Sequence, residues 1–157
     1  MRPVSKGNSP YESIDEYRKA LPYLVCTLGE YCSYCGFPIS HVPEVEHKAA
    51  KAANGSLTDW NNLLLACKYC NTRKGKKSGS VNINEYLWPD VYNTAIAFTY
   101  KDGVPEVNEE ALNTIDQTGE ALRKAKNLFE LLKLDVLQRG AEKDKRNRKR
   151  NEVYEIA

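Results

Sequence analysis

Two cysteine pairs, Cys32-Ser33-Tyr34-Cys35 and Cys67-Lys68-Tyr69-Cys70, flank the segment 36–66, and no other feature restricts the possible folds as strongly. Each CxxC turn offers two sulfurs from a tight loop, and four thiolates complete a tetrahedral zinc shell. Such a zinc has no open coordination position, so it is structural and staples the two ends of the intervening segment together. A disulfide framework is the competing reading, but it suits small secreted domains. The opening MRPVSKGNSP is polar and lacks the apolar centre of a secretory signal, so zinc and cytoplasmic residence are expected. Cys26 lies among apolar neighbours in LPYLVCTL and is expected to be a buried core thiol.

The chain has 157 residues, 41% hydrophobic and 28% charged, which suits a soluble protein of one domain or a small module with helical additions. No apolar run is long enough to span a bilayer. Net charge is only +2, but its distribution is uneven. Lys48 and Lys51 follow His47, while Lys68, Arg73, Lys74, Lys76 and Lys77 surround the second cysteine pair. Lys143, Lys145, Arg146, Arg148, Lys149 and Arg150 form a third group. Basic clusters of this kind suit a polyanionic partner, and for the last group a solvated helix face is an equal reading.

Local patterns give a coarse outline. Residues 1–10 read as an extended arm, and 11–28 as a helix interrupted near Pro22 and stopped by Gly29. PISHVPEVEH alternates enough for a short β-hairpin. Thr58 or Asp59 can cap a helix through WNNLLLA that delivers Cys67 and Cys70, and a second short helix carries NTRKGKK. TAIAFTY and VPEV, joined by Lys101-Asp102-Gly103, read as a hairpin. NEEALNTID and GEALRKAKNLFELLKL read as helices, with Leu122, Ala125, Leu128, Leu131 and Leu132 on the core face. A three-part division follows: an arm and helix over 1–29, a zinc-framed core over 30–78, and a β-hairpin with helices over 79–157.

Inside the zinc frame stands Glu46-His47. Adjacent positions on a strand face opposite ways, so the carboxylate and the imidazole are suited to different roles. Glu46 can bind a cation and His47 can take a proton from water. Asn71 offers an amide oxygen to a hard cation, and Asn62 can hold a neighbouring loop or the histidine.

CSYC, VEH, DWNNLLLACKYCN and TRKGKK together resemble the HNH endonucleases, across roughly residues 30–77, about a third of the chain. The resemblance implies an α+β fold, a ββα-metal core stapled by the four-cysteine zinc site, with an N-terminal helix and a mainly helical C-terminal extension. It implies phosphodiester hydrolysis with magnesium or manganese, Glu46 and Asn71 as cation ligands, His47 as general base and Asn62 as the orienting asparagine. Lys68, Arg73, Lys74, Lys76 and Lys77 then hold the nucleic-acid backbone without reading bases, so intrinsic sequence specificity is low. DNA ranks ahead of RNA as substrate. Outside the core, MRPVSKG, YLWPDVYNTAIAFTY and KRNRKRNEVYEIA resemble a bacterial subgroup in which some relatives act in antiphage defence beside an ATPase.

Two departures from the pattern bear on the metal. Glu46 stands where Asp is commoner and reaches one methylene further. Asn71 stands in place of His, and Gly75, one turn on, offers no side chain. Two protein ligands leave the shell to water and phosphate, which favours magnesium. A toxin-like ribonuclease, and a zinc-stabilised module that binds nucleic acid or protein without cutting, are the alternatives. His41, Trp60 and the leucine run 63–65 are read as ordinary surface and core residues, and Tyr34 and Tyr69 as packing over the zinc.

Overall fold

A computed structural model of the chain describes residues 1–49, 56–75, 82–101, 103–134 and 145–156. Lys51, Lys76, Lys77 and Lys143 lie outside the described residues. Helix α1 (Leu21–Leu28) carries Pro22 in its first turn, where the missing N–H costs nothing, so the proline starts the helix rather than interrupting it. A 3₁₀ turn, Tyr17–Ala20, leads into it, and Gly29 closes it at φ 71°.

Strands β1 (Glu44–His47) and β2 (Leu63–Ala66) pair antiparallel, with Glu46 opposite Leu64 and His47 opposite Leu63. Helix α2 (Lys68–Lys74) follows directly and completes a ββα unit. Here the expectation of a helix through WNNLLLA is corrected. Asp59 caps only a 3₁₀ turn, Trp60–Asn62, by accepting from the Asn61 N–H at 2.9 Å, after which the chain extends. All four residues of β2 are fully buried, and α1 packs on the strand. A short apolar run covered on both faces has no alternation to distinguish it from a buried helix. The hairpin expected within PISHVPEVEH likewise has only EVEH as a strand, whose partner lies 16 or more residues on, at Leu63–Ala66.

A second sheet joins β3 (Phe98–Lys101) and β4 (Val104–Val107), with α3 (Thr94–Ala97) before it. Gly103 turns this hairpin at φ 75°, and a Cβ there would also run into Asn151. Helices α4 (Glu109–Ile115) and α5 (Glu120–Leu131) follow. Ala125 and Leu128 of α5 are fully buried with the neighbouring Leu132, as the spacing predicted, while Leu122 and Leu131 pack at the core's edge. Helix α6 (Lys145–Tyr154) closes the chain. The architecture is thus α+β, and no described helix is long and apolar enough to cross a membrane.

One contiguous core joins the arm, the ββα unit and the later helices. The arm is fastened by charge. The buried Lys6 ammonium donates to the carbonyls of Trp60 at 2.7 Å and Leu63 at 2.8 Å, and pairs with Asp90 at 2.9 Å. Burial lowers the Lys6 pKa, which Asp90 partly offsets. Cys26 corrects a second expectation. Leu24 and Leu28, one turn apart, take the inward face of α1, and Cys26 between them is exposed.

Leu64 lies at the centre of this arrangement, fully buried and opposite Glu46. Leu64→Ala is expected to lower unfolding stability by about 2–5 kcal/mol in denaturant titration. A loss below about 1 kcal/mol would contradict the placement of β2 in the core.

Candidate functional site

The four cysteine sulfurs converge, all within 4.8 Å of one another. Cys35 and Cys67 stand 3.9 Å apart. Sulfurs bound to zinc at about 2.3 Å in a tetrahedron lie about 3.8 Å apart, whereas a disulfide needs about 2.05 Å. The donor set therefore fits zinc. Hydrogen bonding with Cys32 drives the Cys67 thiol strongly down and the Cys35 thiol strongly up, so the four sulfurs cannot all be thiolates together without a cation. Among the described residues no other group of three or more His, Cys, Asp or Glu side chains converges in this way.

The local backbone shapes the cluster. The first pair forms a turn closed by Gly36 N–H to Cys32 O and Cys32 N–H to Phe37 O, both 2.9 Å, and Ser33 N–H reaches Leu65 O of β2 at 2.8 Å. The second pair opens α2, with Cys67 as the N-cap whose sulfur accepts from the Cys70 N–H at 3.3 Å. Arg146 of α6 adds a cation. It is buried, donates to Cys70 Sγ at 3.3 Å and to Leu132 O at 2.7 Å, and its guanidinium lies 5.1 Å from the Tyr69 ring centroid.

The zinc frame sets β1 against α2. Glu44 and Glu46 share one face of the strand, and Lys68, Asn71 and Lys74 form the helix stripe that meets them. Glu46 is 3% exposed. One of its oxygens accepts from the Tyr34 hydroxyl, and the other lies 2.5 Å from Lys74 Nζ. Burial raises the Glu46 pKa, and the Lys74 ammonium opposes that shift. Burial and the Glu46 charge together push the Tyr34 hydroxyl well up. Asn71 does not face Glu46; its Nδ2 donates to Glu44 Oε2 at 2.7 Å, and Lys68 pairs with Glu44 Oε1 at 3.2 Å.

His47 takes the other face of β1. Its ring meets Tyr17 edge-on at 4.8 Å between centroids, and Nε2 stands 2.9 Å from the Leu57 carbonyl. A carbonyl only accepts, so Nε2 carries the proton and Nδ1 is the nitrogen that can receive one. Asn62 acts on this histidine through the backbone. It is buried, accepts from Ala49 N–H at 2.8 Å and donates to Ala49 O at 3.2 Å and Ser56 O at 2.9 Å. It thereby ties the residue after Lys48 to the residue before Leu57.

The expected phosphate-binding residues divide. Lys68 is exposed, and Arg73 lies at the surface with its guanidinium 5.2 Å from the Tyr69 ring centroid. Lys74 corrects the expectation, because its side chain is 2% exposed and bound to the His47 carbonyl at 2.5 Å as well as to Glu46. Its position on the strand-facing stripe of α2 turns it inward. Arg146 and Arg150 are also buried, while Arg148 and Lys149 are exposed and pair with Glu152.

The pattern of residues did not single out Tyr17 or Glu44, and it gave Tyr34 only a packing role over the zinc, whereas its buried hydroxyl donates to Glu46. Period-two reading of EVEH would have placed Glu44 beside Glu46, but nothing local points to Tyr17 or Tyr34. Tyr17, Glu44, Lys68 and Asn71 line an open cleft of about 370 Å³, and Tyr17 is the residue that links it to the histidine.

The chemistry of the donors also fits a hard cation. The Lys74 ammonium is a stand-in positive charge against two oxygens, the Glu46 carboxylate and the His47 carbonyl, while the Asn71 amide is turned to Glu44. For the zinc site, Cys32→Ser or Cys70→Ser is expected to release the metal and unfold the ββα unit, read as zinc content and melting temperature. A variant that loses zinc yet melts with the wild type would exclude a structural role.

Residues 32–77 match the family model of the HNH endonucleases. No curated protein and no solved structure matches the chain. The matched span contains both cysteine pairs, the β1–β2 hairpin and α2 in full. Over residues 32–77, under a third of its length, the chain is thus similar to the HNH endonucleases.

Proposed function

We propose that this chain is a metal-dependent endonuclease that hydrolyses phosphodiester bonds in nucleic acid, with DNA as the favoured substrate. The observation that carries the reading is His47, whose Nε2 is held by the Leu57 carbonyl so that Nδ1 is the nitrogen able to act as a base, while Tyr17, packed on its ring, lines an open cleft. His47 takes the proton of an attacking water, and the attack on phosphorus expels the ester oxygen opposite. Asn62 keeps the Leu57 carbonyl, and hence the imidazole, in register. Glu46 is the residue that holds the cation, and Asn71, which here donates to Glu44, joins it on turning from that carboxylate. Magnesium or manganese bound there supplies Lewis-acid stabilisation of charge on the phosphate oxygens. Lys68 and Arg73, at the surface of α2, contact the backbone without reading base edges, in keeping with low sequence specificity. The resemblance of the arm and tail to an antiphage subgroup supports a role as a nuclease subunit beside an ATPase.

The test is cleavage of plasmid DNA and of structured RNA in magnesium or manganese by wild type and His47→Ala. Wild type is expected to cut DNA, and His47→Ala to lose about 10²–10⁴-fold in rate, as removal of a general base does. Chelator should abolish the cutting. Preferential cutting of RNA would favour the toxin-like ribonuclease, and binding without cutting would favour a passive module.

A further inference from the structure

Glu46 is already occupied by a cation of the protein's own. Lys74 Nζ stands 2.5 Å from Glu46 Oε1 and 2.5 Å from the carbonyl oxygen of His47, and each side chain of the pair is 2% exposed. The second carboxylate oxygen accepts from the buried Tyr34 hydroxyl. Asn71 is engaged as well, with its amide nitrogen on Glu44 Oε2 at 2.7 Å. Both side chains that the proposed function assigns to the divalent cation are therefore turned to other partners.

We propose that Lys74 is a removable latch: its ammonium occupies the divalent-cation position on Glu46, and the cation site forms only as nucleic acid draws Lys74 away. This rests on the reading of Glu46 as a cation ligand. An ammonium and a divalent ion cannot share one buried carboxylate, because they repel at contact distance in a poorly screened interior. Lys74 has room to leave. It is the last residue of α2 and is followed by Gly75 at φ 59°, where the helix ends. A cavity of about 450 Å³ adjoins it, lined in part by Arg73, Glu85 and Glu130. A phosphate arriving at the Lys68 and Arg73 surface gives the ammonium an anionic partner of equal standing. Cation and nucleic acid then bind with positive coupling, each raising the affinity of the other. Such an arrangement keeps the site without metal until substrate is present.

The test measures Mn²⁺ binding to the zinc-loaded full chain by loss of the free-ion paramagnetic resonance signal. Lys74→Met is expected to bind Mn²⁺ at least about tenfold more tightly than wild type without nucleic acid, a factor ordinary for coupled sites. Lys74→Arg, which keeps the charge, should stay weak, and the gain should vanish in Lys74→Met/Glu46→Gln. Equal affinity of wild type and Lys74→Met, or a gain that survives Glu46→Gln, overturns the latch. Should Lys74→Met fail to fold, His47→Ala serves instead, because it retains Lys74 and the backbone carbonyl. A short DNA duplex should tighten its Mn²⁺ binding by about tenfold, and unchanged affinity with the duplex overturns the latch. The two proposals fail differently. A Mn²⁺ gain in a chain that cuts nothing removes the nuclease reading alone, whereas metal-dependent cutting with equal Mn²⁺ affinity removes the latch alone.

Discussion

Convergence of four sulfurs on one point is the constraint from which the rest of the molecule follows. Neither cysteine pair sits on strand β1, yet together they determine where it lies. The first turn is tied to β2 through Ser33 and Leu65, and the second is the opening of α2, so the hairpin and the helix have one available arrangement. Four thiolates around one zinc leave a net charge of two minus, and Arg146 answers part of it from the far end of the chain. The guanidinium also gathers the end of α5 through the Leu132 carbonyl. The zinc centre thus organises the C-terminal helix as well as the nuclease unit.

Around that staple the interior is unusually rich in charge. Lys6, Lys48 and Asp90 form one buried group, with Asp90 Oδ2 accepting from both lysines, and Lys74, Glu46 and Tyr34 form another. Buried ion pairs contribute little net stability, but breaking one by removing a partner costs about 3–5 kcal/mol. Their effect is to specify position. Lys48 follows His47 in sequence, and Lys74 holds the His47 carbonyl, so both groups fix the same short stretch of backbone. The imidazole is then set from the other side by Tyr17 and the Leu57 carbonyl. A histidine held on both sides is positioned before any ligand arrives, which is what the proposed proton transfer requires.

The zinc ligands, the hairpin at Gly103 and the core face of α5 were legible because each depends on spacing alone. Cysteine pairs, an Asp-Gly turn and a helical apolar stripe carry their geometry within a few residues. The strand at Leu63–Ala66 was not legible, since a run buried on both faces has no periodicity to read. Cys26 misled because apolar neighbours say nothing about which side of an eight-residue helix a side chain takes. The identities of Glu46, His47, Asn62 and Asn71 stood out in the sequence, but their partners did not. Tyr34 meets Glu46, Asn71 meets Glu44 and Lys74 turns inward because of how β1 and α2 face each other. Such pairings belong to packing between elements and leave no local mark.

The basic residues illustrate that gap most sharply. In sequence they form clusters that suit a polyanion, the C-terminal group reading equally as a solvated helix face. In the fold Lys6, Lys48, Lys74, Arg146 and Arg150 are buried, and their charges hold the arm, the histidine backbone, the zinc thiolates and the last helix. Lys68 of α2 remains at the surface beside the cleft and shares its charge with Glu44, and Arg73 lies at the surface beside the Lys74 cavity. Each phosphate neutralised releases counterions, so two outward cations among the described residues of α2 would by themselves give a weak, shallowly salt-dependent grip on nucleic acid. A nuclease built in this way depends on something besides its own surface charge to stay on its substrate. A charge that crosses from the interior to the phosphate, or a partner that supplies more of them, meets that need.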